Sequence, residues 1–323
     1  MTFGLVLGAG GVVGMAYHAG ALRALEQVAG IDPGDADLVV GTSAGSVIGS
    51  HLRCDWTVRD LWDFAMGTHP LVAELSPEEV DRRERAILEW SWDSGPELVR
   101  RLLGSVYVLG RCAVRLPMPE IPAVLRRSFP GGLCRTDEAE QQISEHLPDE
   151  WPDDALWLCA VDIQSGRRVV LGRRGAPDLP LPQAVLASCA IPGVFPPVRA
   201  DGVTLVDGGA HSTTNLDLAA RAGCSLIIGV APMAYDPADP PLPHHQLARR
   251  RATVSLHREM VTARGRGAEV LLIRPSAAEV ADHGLRFMRP DSTEEIARAA
   301  YDSVARMLES ARFRRVLGEQ LAA

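Results

Sequence analysis

An α/β fold built on a mainly parallel sheet is the class this sequence predicts, and three observations carry it. Short apolar runs at Phe3–Leu7, Asp37–Val40 and Ser225–Val230 read as buried strands. The first two pass through glycine-bearing turns straight into segments of helical character. The connections are short, so consecutive strands pair across a helix and run parallel.

Taken in order, Phe3–Leu7 is strand one, and Gly8-Ala9-Gly10-Gly11-Val12-Val13-Gly14 is a glycine loop. Met15–Val28 is a helix, with Met15, Ala19, Leu22 and Leu25 at helical spacing and Gly30 as its stop. Asp37–Val40 is strand two and feeds Gly41-Thr42-Ser43-Ala44-Gly45. About 56–130 is helical and changes character: Ser76-Pro77-Glu78-Glu79 is a capping box, and Asp93–Arg115 carries Leu98, Leu102, Leu103, Val106 and Leu109 on one side. Leu116–Pro122 then breaks regularity. Two readings stand for this region, a helical insertion capping the sheet and ordinary packing helices; Trp90, Trp92 and Tyr107 fit either lipid contact or core.

Thr136–Leu147 reads as helix, and Ala155–Asp162 with Arg168–Leu171 as a strand pair around Gln164-Ser165-Gly166. Pro182–Ala190 is helix, and Gly202–Val206 is a strand ending on Asp207-Gly208-Gly209. Asn215–Ala222 is helix, Asp236–His245 a proline-rich loop, and Leu247–Arg264 helix. Its Arg249–Arg251 run reads as a solvated face. Glu269–Ile273 is a strand, and Ser292-Thr293-Glu294-Glu295 caps a last helix with Ile296, Ala300, Val304 and Leu308 on its packing face.

The totals exclude several chemistries. With 323 residues, 46% hydrophobic and 23% charged, the chain has a soluble globular composition. A net charge of -8 argues against nucleic acid as a partner. All 33 basic residues are arginine. Without lysine there is no Schiff base, no Walker P-loop lysine and no Ser–Lys dyad. The cysteines are scattered without a C-x-x-C pair, and no leader or apolar span is legible, so a cytoplasmic location is expected. There is no H-E-x-x-H and no acidic calcium loop, so no metal is implied, and His244-His245 reads as solvated.

Gly41-x-Ser43-x-Gly45 between a strand and a helix is the context of a nucleophile elbow, with Ser43 Oγ pushed out of a tight turn. The glycine loop has two readings. A dinucleotide fingerprint needs an acid at the end of strand two, where Val40 runs into Gly41 instead. The second reading is an oxyanion hole, in which successive amides at a helix start converge on one point beside Ser43, given that strands one and two are neighbours. For a base, His18, His51, His211 and His283 carry no signature, although His283 is late enough in the chain for a classical triad. Asp207 ends a strand and is followed by two glycines, which fits either a base at the same sheet edge or a turn residue.

Four blocks in this order resemble those of the patatin-like phospholipases. They are Leu5–Gly14 with His18-Ala19-Gly20, then Gly41–Gly45, then Ala187-Ser188-Cys189-Ala190-Ile191-Pro192-Gly193-Val194-Phe195-Pro196-Pro197, and last Asp207-Gly208-Gly209 with Asn215. The resemblance implies one domain over 1–323, a three-layer fold on a central, mainly parallel sheet, with a helical cap at about 56–130 and C-terminal strand and helices at about 236–323. It implies a Ser43–Asp207 dyad with no histidine, Gly10 and Gly11 as main-chain oxyanion donors, and Gly8, Gly14, Gly41, Gly45, Gly208 and Gly209 as motif glycines. The implied reaction is hydrolysis of lipid acyl esters through an acyl-enzyme, without a cofactor, with transient membrane-surface contact through the cap. The alternatives are acyl transfer to another acceptor by the same dyad, or lipid binding without catalysis. The last is motivated by Val13, where the family usually has a basic residue; Ala9 also replaces the first glycine of the family's usual core.

Overall fold

The computed structural model describes residues 2–86, 89, 94–113, 131–236, 239, 247–283, 288, 292–310 and 313. They form two compact units: Met1–Leu75 with Pro152–Trp157 and Ser212–Ala323, and Ser76–Trp151 with Leu158–His211.

The first unit is built on parallel strands in the order β2-β1-β7-β8, where β1 is Phe3–Leu7, β2 Leu38–Gly41, β7 Leu226–Val230 and β8 Glu269–Ile273. Every residue of β1, β2 and β7 is buried, the pattern of parallel strands covered on both faces. This is why these strands read as continuous apolar runs rather than alternating ones. Helix α1 (Gly11–Ala29) follows β1 and ends on Gly30 at φ 65. It starts four residues before the sequence-predicted Met15, because the glycine loop tightens directly into its first turn.

Helix α2 is Ala44–Arg53, α3 is Val58–Ala65 and α4 is Pro70–Ala73. Thr57 and Asp60 form a capping box at the start of α3, which packs against α1. The last helix, α12 (Thr293–Leu308), also packs on α1, so closely that a Cβ on Gly20 would lie 2.1 Å from the Ala297 carbonyl oxygen. Between them lie α9 (Asp217–Ala222), α10 (Leu247–Gly265) and α11 (Ala277–His283).

In the second unit α5 is Pro77–Ala86, α6 Gly95–Ala113, α7 Asp137–His146 and α8 Leu181–Cys189. Its strands are antiparallel: β3 (Leu156–Asp162, whose first two residues belong to the first unit) pairs with β4 (Arg167–Leu171) and β6 (Val203–Asp207), and β6 pairs with β5 (Val198–Ala200). The β3–β4 turn is the expected one. Asp162 accepts the amides of Gln164 and Ser165, and Gly166 takes φ 66. Val108 of α6 packs with Val161, Ile163 and Val206, and half-buried Tyr107 lies against them.

The fold class is the expected α/β one, a mixed sheet with a parallel portion and flanking helices. Three local expectations are corrected. Ser292 precedes α12, but its hydroxyl makes no capping bond. Asn215 is not helical; it takes φ 57, and α9 starts at Asp217. The Arg249–Arg251 run is not uniformly solvated, because helical phase turns Arg249 inward to 1% exposure while Arg251 stays outside. Trp90, Trp92, the break at 116–122 and His244-His245 lie outside the described residues.

Candidate active site

Ser43 occupies the link between β2 and α2 at φ 52, ψ -120, with 5% exposure. A left-handed φ in a residue with a Cβ costs about 1–3 kcal/mol, and such strain concentrates where geometry serves a function. Two glycines enforce it. A Cβ on Gly41 would stand 2.6 Å from Ser46 Cα, and one on Gly45 would stand 2.0 Å from the Leu7 carbonyl oxygen of the neighbouring strand. Ser46 Oγ ties the turn by donating to the Ser43 carbonyl at 2.6 Å. Helix α2 begins immediately after, so its positive end faces the serine.

The glycine loop leaves β1 beside this turn, since β1 and β2 are paired in parallel with Leu7 opposite Gly41. Its amides divide into two kinds. The Gly8 amide donates to Val230 O at 2.9 Å and the Ala9 amide to Thr213 O at 2.7 Å. The Gly10 and Gly11 amides, at the free N-terminal end of α1, make no hydrogen bond among the described residues. Gly11 takes φ 61, and a Cβ on Gly10 would press to 2.6 Å from Gly14 Cα. A pair of donors at a helix start, next to a strained serine, is chemically able to receive a negatively charged oxygen. Val13, the departure from the family's basic residue, is buried in the core at 2% exposure.

A bond not foreseen from the sequence braces the serine turn. Asn215, fully buried at its left-handed φ, donates Nδ2 to Thr42 Oγ1 at 3.0 Å and to Ser212 O at 2.7 Å. Asn215 was visible as part of the fourth motif block, but its reach across 173 residues to Thr42 was not.

Asp207 belongs to the second unit. It ends β6 opposite Ala160 of β3, is 5% exposed, and its amide donates to Ala190 O at 2.9 Å. Its Oδ1 accepts the Gly209 amide at 2.7 Å. Gly208 is required because a Cβ there would lie 2.4 Å from Cys159 O. The third motif block supports this corner: Ser188 Oγ donates to the same Cys159 carbonyl at 2.7 Å, and Ala190 supplies the acceptor for Asp207.

Among the histidines, His51 is turned onto its own helix, with Nδ1 at 2.8 Å from Val47 O and the ring edge-on to Trp56. His211 is exposed, and His283 closes α11. His18 is fully buried with Nε2 at 2.7 Å from the Gly8 carbonyl oxygen, so its neutral ring donates to the first glycine of the loop. Burial lowers its pKa from 6.5 to about 4. The unfolded chain therefore takes up a proton near pH 6.5 that the folded chain refuses until about pH 4. The stability tied to neutral His18 is whole above pH 6.5 and is lost as pH falls toward 4, about 3 kcal/mol in all. Urea unfolding of wild type and His18→Gln across that range should show the extra slope in wild type alone. Among the described residues, no three His, Cys, Asp or Glu side chains are grouped to hold a metal ion.

Residues 5–220 match the model of the family described as patatin-like phospholipase. Among solved structures, VipD from Legionella pneumophila is similar over 94% of this chain and 67% of its own, at 12% identity and a TM-score of 0.36. The type III effector protein ExoU is similar over 95% of this chain and 53% of its own, at 17% identity and a TM-score of 0.36, so the chain spans about half of its length.

Proposed function

The chain belongs to the patatin-like phospholipase family, and from that premise we propose that it cleaves acyl esters of lipids with Ser43 as nucleophile and Asp207 as its base. The observation that carries this reading is the serine turn: Ser43 held at φ 52 between two obligatory glycines, in the turn after β2, whose neighbour β1 leads into the loop with the unspent Gly10 and Gly11 amides.

Asp207 takes the Ser43 hydroxyl proton as Oγ attacks the ester carbonyl carbon. The carbonyl oxygen becomes an oxyanion and accepts from the Gly10 and Gly11 amides. Collapse breaks the ester C–O bond, and Asp207 returns the proton to the departing alkoxide. Water then repeats the sequence on the acyl-enzyme and releases the fatty acid. One carboxylate serves both halves because in each it accepts a proton from the attacking hydroxyl, of Ser43 or of water, and returns it to the departing oxygen, of the alcohol or of Ser43. An alkoxide leaves more readily than an amide nitrogen, so esters rather than peptides are the substrate class.

The lipid reaches the site from an interface, and α6 is suited to one. Val99, Leu102, Leu103, Val106 and Leu109 are all exposed along one side, Val106 by 66%. The helix carries Arg100 and Arg101 against Glu97, a local excess of positive charge in a chain of net charge -8. An apolar stripe beside arginines fits an anionic lipid surface.

The test is release of free fatty acid from phospholipid vesicles by the purified chain, with short soluble esters in parallel. Hydrolysis of both is expected. Leu102→Ser with Leu103→Ser should lower turnover on vesicles and spare the soluble ester. Addition of an alcohol that captured most of the acyl group would move the reading to acyl transfer, and no acyl release from either substrate would refute it.

A further inference from the structure

Helix α10 lies wholly beyond the segment matched to the family and carries two buried charges, Arg249 and Glu259, on the inward side that also holds Ala252, Thr253, Leu256 and Ala263. Burying a charge is costly unless it is well bonded, and leucine or methionine would pack such a stripe more cheaply. Ten residues of helix separate the two by about 15 Å, so each has its own task. We infer that α10 is a positioning element for the reaction, with Arg249 fixing the wall behind the glycine loop and Glu259 fixing the segment that braces both the loop and the serine turn. The inference rests on the reading of Ser43 and the glycine loop given above.

Arg249, at 1% exposure, donates from Nη1 to the Pro232 carbonyl at 2.7 Å. Pro232 backs the loop: its Cβ would be 3.1 Å from a Cβ on Gly10 and 3.7 Å from one on Gly14. Burial brings the guanidinium down to about 10, still protonated at neutral pH. One helical turn on, Thr253 Oγ1 donates to Arg249 O and accepts the Tyr235 amide, so the chain after Pro232 is held twice.

Glu259 accepts the Leu216 amide through Oε2 at 2.8 Å. Leu216 follows Asn215, and the stretch 212–216 makes two contacts that reach the site. Thr213 O takes the Ala9 amide, and Asn215 Nδ2 holds Thr42 Oγ1. Glu259 therefore acts on both halves of the site through one main-chain segment. Ser255 Oγ adds a long contact of 3.5 Å to Ser212 Oγ.

The experiment compares Arg249→Met, Arg249→Lys, Glu259→Leu, Glu259→Gln and Leu256→Ala on a soluble acyl ester. Small displacements of reacting groups are expensive, so Arg249→Met and Glu259→Leu should each lower kcat about tenfold or more with KM within about twofold. Arg249→Lys still donates to Pro232 O, and Glu259→Gln still accepts from the Leu216 amide; both should recover most of the loss. Leu256→Ala, on the same buried stripe, should lower the unfolding midpoint and leave kcat within about twofold. Hydrogen exchange supplies a readout independent of turnover: segments 8–14 and 212–216 should exchange faster in Glu259→Leu, with α12 unchanged.

Unchanged kcat in folded Arg249→Met and Glu259→Leu overturns the inference, and so does an equal loss in Leu256→Ala. If the leucine and methionine variants fail to fold, a loss of about tenfold in both conservative variants overturns it as well. Wild type that neither turns over ester nor reacts at Ser43 would remove the functional reading, and the exchange pattern would then decide whether α10 holds these loops.

Discussion

Asp207→Asn should lower kcat by about 10²- to 10⁴-fold while leaving the fold intact. The amide is the same size as the carboxylate, and its oxygen still accepts the Gly209 amide that fixes the corner after β6. What it loses is the ability to take the Ser43 proton. No histidine stands in the proposal to replace it, so the loss should not be rescued between pH 6 and pH 9. The measurement is kcat with a soluble ester, beside circular dichroism and a thermal midpoint. Activity within tenfold of wild type in folded Asp207→Asn would remove the carboxylate from the chemistry.

Gly10→Ala should cost about 10²- to 10³-fold in kcat, the scale of losing an oxyanion donor. The argument is one of space rather than backbone angle. Gly10 has φ 174, outside the left-handed region, and its new Cβ would lie 2.6 Å from Gly14 Cα and 3.1 Å from Pro232 Cβ. The loop must move, and the Gly10 and Gly11 amides move with it. Gly14→Ala is the contrasting case. Its Cβ would meet Ala44 Cβ at 3.4 Å and Pro232 Cβ at 3.7 Å, which are ordinary contacts, so activity should stay within about threefold. Equal activity in Gly10→Ala and wild type would show that these amides do not hold the developing charge.

The parts of this molecule that were legible in its sequence are those fixed by neighbours in the chain. A strand, a tight turn and a helix within a dozen residues gave Ser43, and the glycine loop announced itself in the same way. Even there the reason for Gly45 was remote: the atom that forbids its Cβ is the Leu7 carbonyl oxygen on another strand. The Asn215–Thr42 bond joins residues that share no local pattern, so no reading of either segment could supply it. Arg249 and Arg251 are identical in composition and differ only in helical phase, which decides that one is buried against Pro232 and the other faces water. The apolar stripe of α6 was visible as a stripe, but periodicity does not say whether a face is covered, and Leu103 and Val106 are exposed. Ser292 shows the reverse failure: a sound capping motif precedes a real helix, yet its hydroxyl is not used.

The central claim is that Ser43 is the activated nucleophile. The most direct measurement is reaction of the purified chain with a fluorophosphonate, followed by mass spectrometry of its peptides. The account predicts one phosphonyl group on the peptide carrying Ser43, absent in Ser43→Ala and formed much more slowly in Asp207→Asn. An adduct on any other residue, or labelling that persists in Ser43→Ala, would contradict it.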